Sequence, residues 1–117
     1  MYACSGAANV GQIANQAAVE LTQEGVGSMN CAVGIGAHVS GMIATGRGAR
    51  RIVALDGCPL KCVQKVLEQV QLEPSDYILV TDLGIEKTAG NCSFTREQVD
   101  KVKEAVIKSM RAGVSRE

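Results

Sequence analysis

Short apolar runs alternate along the chain with stretches of helical period. Met1–Cys4 reads as the last residues of a strand. Ile13, Ala14, Ala17, Ala18 and Leu21 then keep the 3.6-residue spacing of a helix over Val10–Gln23. Gly25 and Gly27 end it. Met29–Val33 is a short second strand. Gly34–Ala44, apolar at Ile35, Val39, Met42 and Ile43, follows as a glycine-rich helix suited to close packing. Ile52 and Val53 favour extended structure in a third strand, Arg51–Leu55. A third helix runs from Pro59 to Gln71, turning Val63, Val66, Leu67 and Val70 inward, and Glu73-Pro74-Ser75 breaks it. Tyr77–Thr81 has the clearest strand pattern, and the loop Asp82–Ser93 follows. Thr95 and Gln98 form a capping box for the last helix, with Phe94 stapled onto Val99. Val99, Val102, Val106 and Met110 continue its buried stripe. Gly113 lies past its end, and Val114–Glu117 is a frayed tail.

Four strand-helix units predict an α/β fold, with one small three-layer domain spanning residues 1–117. Its sheet is open, mostly parallel and four-stranded, in the order 2-1-3-4, with right-handed crossovers and four helices.

Charge adds little to this picture, but it excludes some functions. Twelve Lys and Arg residues balance twelve Asp and Glu residues. The densest basic stretch, Arg47–Arg51, holds only three arginines, and the aromatics are Tyr2, Tyr77 and Phe94. A nucleic-acid partner would require a basic face and stacking rings, so none is expected. No apolar run approaches the roughly 18 residues of a membrane span. The basic, apolar, small-residue order of an export signal is also missing, which points to a cytoplasmic protein.

Five cysteines change the picture most. An odd, widely spaced set in a reducing compartment argues against a disulfide framework. Metal ligation, thiol chemistry and simple burial remain. Cys4, Cys31 and Cys58 recur every 27 residues, close to one strand-helix unit, each at the carboxyl end of a predicted strand. Cys92 lies in the loop after the fourth. That rim is where open parallel sheets bind ligands. Asp56-Gly57-Cys58-Pro59-Leu60-Lys61-Cys62 is the densest part of the pattern. With Pro59 at the first helical position, Cys58 falls at the N-cap and Cys62 one turn on. Free N–H groups and the helix dipole favour thiolates there. Cys4, Cys31, Cys58 and Cys62 are therefore the candidate metal ligands. Tetrahedral thiolate sites suit Zn²⁺, with an iron–sulfur cluster as the alternative.

The Asp56-Gly57-Cys58 triplet with Cys62, the opening Cys4-Ser5-Gly6-Ala7-Ala8-Asn9-Val10-Gly11, and Cys31 between them resemble the DGC-domain family of small prokaryotic proteins. The resemblance covers nearly the whole chain. It implies zinc binding through Cys4, Cys31, Cys58 and Cys62 and no established enzymatic activity. Cys92 takes no role from it.

A second function is a thiol enzyme handling disulfides, persulfides or an oxidised metalloid, in which Cys58 attacks and Cys62 or Cys92 resolves. Other features carry less. Cys4-Ser5-Gly6 also suggests the nucleophile loop of small phosphatases and arsenate reductases, but positions 5–11 hold no arginine for the oxyanion. Gly34-Ile35-Gly36 lacks the third glycine of a dinucleotide loop, since Val39 stands there. His38 is a possible substitute ligand, though two helical turns carry it from the strand end. Asp56 is expected to fix its turn by hydrogen bonding to nearby N–H groups, and Asp82 to cap one. Lys61 could neutralise thiolate charge from the first turn of the helix.

Overall fold

A computed structural model describes residues 1–116, with side chains through Gly113. Three parallel strands, β1 (Tyr2–Ala3), β2 (Val53–Asp56) and β3 (Asp76–Leu79), lie in chain order across one sheet. Five α-helices surround them: α1 (Asn9–Gln23), α2 (Ala32–Gly36), α3 (Ser40–Arg47), α4 (Cys62–Gln69) and α5 (Arg96–Arg116). A 3₁₀ turn over Val80–Leu83 follows β3.

The strand period sorts the core into two layers. Val53 and Leu55 of β2 join Val10, Ile13, Ala17, Val99 and Val102 on the face covered by α1 and α5. Ile52 and Ala54 point the other way, to Tyr2, Ile35, Val63 and Leu67 under α2 and α4. The three-layer α/β arrangement is therefore as expected, and all of β2 is buried.

The fourth strand is absent among the described residues. Ser28–Asn30 does run beside Met1, whose N donates to Ser28 O at 2.6 Å and whose carbonyl accepts from Asn30 N–H at 2.8 Å. Pairing stops there because Cys31 N-caps α2, its Sγ accepting from Gly34 N–H at 3.3 Å. The chain coils into helix where a strand was expected. Removing that strand from the order 2-1-3-4 leaves the sequence of strands observed.

The helices differ too. The expected helix Gly34–Ala44 is two, α2 and α3, broken where His38 takes φ +57°. His38 N–H bonds Ile35 O and Val39 N–H bonds Gly34 O, the two hydrogen bonds of a Schellman helix end. Helix α4 starts at Cys62, three residues later than expected. Helix α5 continues through Gly113 to Arg116, where a stop and a frayed tail were expected; Glu117 lies outside the described residues. Its capping box is present: Thr95 N–H bonds Gln98 Oε1 at 3.0 Å, and Gln98 N–H bonds Thr95 Oγ1 at 3.2 Å.

Polar contacts lock α5 down at both ends. Buried Asp76 accepts from Arg51 at 2.7 Å and from Ser109 at 2.7 Å, tying the start of β3 to the far end of the helix. Near its first turn, Arg96 and Lys103 converge on Glu20 of α1. The Arg96 hydrogen bond, helped by Gln16 and Lys103, holds the Glu20 carboxyl at about 2, below its ordinary 4.5. A depressed folded-state pKa stabilises above the ordinary value and is lost as pH falls through the depressed one. Exposure of Arg96 makes the contribution sensitive to salt. Urea unfolding at about pH 6 and about pH 3 checks this. Wild type should lose more stability between the two than Glu20→Gln, and the difference should shrink in high salt.

Candidate metal centre

Cys4 stands one residue past β1, yet its N–H still pairs with Leu55 O at 2.9 Å, which fixes it at the carboxyl rim. The chain then folds back on α1. A Cβ at Gly11 would approach Gly6 N to 2.7 Å, so only glycine fits under this loop. Gln12 Nε2 holds it down through Ser5 O and Gly6 O, at 3.0 and 3.1 Å. Cys4 Sγ accepts from Gly6 N–H at 3.4 Å.

The loop after β2 docks on the same helix. A Cβ at Gly57 would come within 2.8 Å of Gly11 N, so the two cysteine-bearing loops meet over the first turn of α1. Cys58–Lys61 is a tight turn closed by Lys61 N–H to Cys58 O at 3.0 Å, with Pro59 in its second position. Cys58 is therefore not the helix N-cap. That place belongs to Lys61, in the left-handed region at φ +54°, and Cys62 opens α4.

Asp56 replaces the missing side-chain cap. Its carboxylate, 1% exposed, accepts from Val63 N–H at 2.8 Å, Gln64 N–H at 3.1 Å and Tyr77 O–H at 2.8 Å. It fixes the turn, as expected. Burial, and next the hydrogen bond to Asp56, push the Tyr77 phenol above its ordinary 10.

A third loop completes the rim. Asn9, the buried first residue of α1, donates to Glu86 O at 2.8 Å and accepts from Thr88 N–H at 2.6 Å. This amide clamp places Lys87 Nζ 3.5 Å from Cys58 Sγ. Lys61, the cation expected there, lies instead over the Tyr77 ring, 6.0 Å from its centroid.

Cys4, Cys58, Cys62 and Lys87 thus line one cavity of about 200 Å³. Cys4 and Cys62 also border an apolar groove of about 540 Å³ beside Ala32, Val33 and Val66. Cys31 faces a different cavity, with Tyr2, Met29 and Met42. Cys92 is exposed in the loop before α5 and lines none of the three. All five cysteines are free thiols. As they stand, no three His, Cys, Asp or Glu side chains among the described residues are grouped so as to hold a metal ion. His38 and Asp82 are exposed and line none of these cavities. Lys87 and the clamp by Asn9 were not foreseen. The only signal for Lys87 was its place in the loop after the last strand, at the rim already expected to bind ligand.

Fold and site define a small α/β domain with thiols gathered at the carboxyl rim of its sheet. The chain belongs to the DGC family: the model of the DGC domain matches residues 1–106. One relative is the anaerobic and virulence modulator AnvM of Pseudomonas aeruginosa. It is 38% identical over 90 residues, which cover 77% of this chain and 69% of that protein. No solved structure matches.

Removing the Asp56 carboxylate strands two helix N–H groups and the hydroxyl of half-buried Tyr77. Asp56→Ala should therefore cost about 3 kcal/mol in urea unfolding, and Tyr77→Phe about 1 kcal/mol. An Asp56→Ala cost below about 0.5 kcal/mol would mean the carboxylate does not hold the turn.

Proposed function

We propose that this DGC domain is a metal-binding protein that holds one thiophilic ion, zinc first, through Cys4, Cys58 and Cys62. The observation that carries the proposal is the convergence of these three cysteines, from two separate loops, on one cavity. The donor set fits the ion: zinc takes thiolates readily, and three protein ligands leave a fourth position for an outside group. Bound there, zinc would act as a Lewis acid or as cargo. Gly6 N–H and Lys87 already lie against Cys4 and Cys58, where they would offset negative charge on metal-bound sulfurs. Cys31, the fourth cysteine of the resemblance, is left out because it faces another cavity. Five free thiols suit a reducing, cytoplasmic setting. An iron–sulfur cluster remains the alternative occupant.

The contact between Lys87 and Cys58 favours a second reading, a thiol-disulfide enzyme. Cys58 would attack a disulfide substrate, forming a mixed disulfide and releasing one thiol. Cys62, on the same cavity, would then displace the second thiol, leaving the substrate reduced by two electrons and Cys58–Cys62 oxidised.

Elemental analysis of protein purified without added metal separates the two. The metal reading predicts about one equivalent of zinc, falling below about a tenth in Cys4→Ser, Cys58→Ser or Cys62→Ser and unchanged in Cys31→Ser. Metal-free wild type with five freely titratable thiols would contradict it.

A further inference from the structure

The apolar groove of about 540 Å³ beside Cys4 and Cys62 is lined by no charged side chain. Helix α2 contributes Ala32, Val33 and Gly36, helix α4 contributes Val63 and Val66, and Ser5 brings the one hydroxyl. Its volume falls inside the roughly 300–1,000 Å³ of small-molecule sites, which are mostly apolar with a few placed polar groups. Here the placed groups are thiols. Cys4, Gly6 and Cys62 line both the groove and the smaller three-cysteine cavity, so a molecule lying in the groove meets two of the three thiols.

Two positions on the groove are not explained by the fold. Gly36 ends α2 without a positive φ, and a Cβ there would lie 3.7 Å from Val66, an ordinary contact. Neither backbone conformation nor crowding calls for glycine, and glycine weakens a helix relative to alanine. What its missing side chain leaves is open space facing Val66. Val33, at 75%, is the most exposed large hydrophobic residue among the described residues, and it stands on this same groove. An apolar ligand would remove it from water.

We propose that the groove receives the hydrocarbon body of a low-molecular-weight thiol or its disulfide and presents the sulfur to Cys4 and Cys62. The proposal rests on the reading of the three-cysteine cavity as the functional site, and it names the class of outside group that site takes. With no charged side chain on the groove, a charged body would leave water without a partner, so a neutral one is selected. Soft thiolates, and any thiophilic ion they hold, select sulfur at the other end. Both thiols are free and Cys62 is exposed, so that end is open to solvent.

Competitive labelling of the reduced, metal-free full chain tests this. Hexyl and ethyl methanethiosulfonate are added as an equimolar, substoichiometric mixture, and peptide mass spectrometry reads the hexyl-to-ethyl ratio at each cysteine. In either reaction the cysteine sulfur displaces methanesulfinate and keeps the alkylthio group. Full burial of a methylene is worth about fourfold, so the longer chain should raise the ratio at Cys4 or Cys62 at least about tenfold above that at Cys92. Cys92 serves as the control because it lines none of these cavities. Val33→Glu and Gly36→Leu, both at exposed positions that the fold does not depend on, should each return the ratio to the Cys92 value and leave zinc content unchanged. Labelling requires no metal, so zinc content decides the metal reading and chain-length preference decides this one. A ratio at Cys4 and Cys62 equal to that at Cys92 would overturn the proposal and point to a macromolecular partner on the groove. A raised ratio indifferent to both substitutions would overturn it as well.

Discussion

The carboxylate of Asp56 is the point on which the site's geometry turns. It ends the central strand, lies buried, and receives two N–H groups of α4 together with the hydroxyl of Tyr77 from the neighbouring strand. A helix whose N-cap side chain makes no cap needs such a partner, since its first N–H groups otherwise stay unpaired. Because the cap comes from before the turn, Cys58–Lys61 is free to bulge outward as a loop. Cys58 then sits ahead of the helix and Cys62 at its first residue, and both reach the same cavity as Cys4.

Close backbone packing does the rest. Gly57 lies on Gly11, and Gly11 lies under Gly6, so two loops distant in sequence share one support on α1. Asn9, the neighbouring residue, clamps the third loop and with it Lys87. Most of the rim is therefore held by backbone contacts and amide hydrogen bonds around one helix turn. The cysteines themselves make few contacts. Their sulfurs accept single N–H bonds in Cys4 and Cys31 and a lysine contact in Cys58, leaving them available for chemistry.

Legibility in the sequence followed the reach of each signal. Periodic apolar stripes identified α1, α4 and α5 and the two longer strands, because Ile13, Leu21, Leu67, Val99 and Val106 are buried for the reason their spacing implies. The capping box of Thr95 and Gln98 was equally plain. Errors arose where a local preference met a remote partner. Pro59 favours a first helical turn, but a cap supplied by Asp56 moved the helix start to Cys62. Met29–Val33 looked extended, but Cys31 served as a helix cap and converted its end to α2. The glycine-rich helix split at His38, since a Schellman ending outweighed continuation. The gathering of cysteines toward one rim was legible, and Cys4, Cys58 and Cys62 border one cavity there. Its division, with Cys31 in a separate cavity, was not, because it depends on α3 returning Met42 to Gly34.

Loops carried by unrelated stretches of chain thus bring three cysteines to the border of a single cavity, and the proposed metal site requires their sulfurs to close on one ion. Anomalous diffraction at the zinc edge, from crystals of the zinc-loaded protein, measures this directly. The expected result is a peak with the sulfurs of Cys4, Cys58 and Cys62 at about 2.3 Å from it. A zinc peak bound by other residues, with these three sulfurs apart and free, would contradict it.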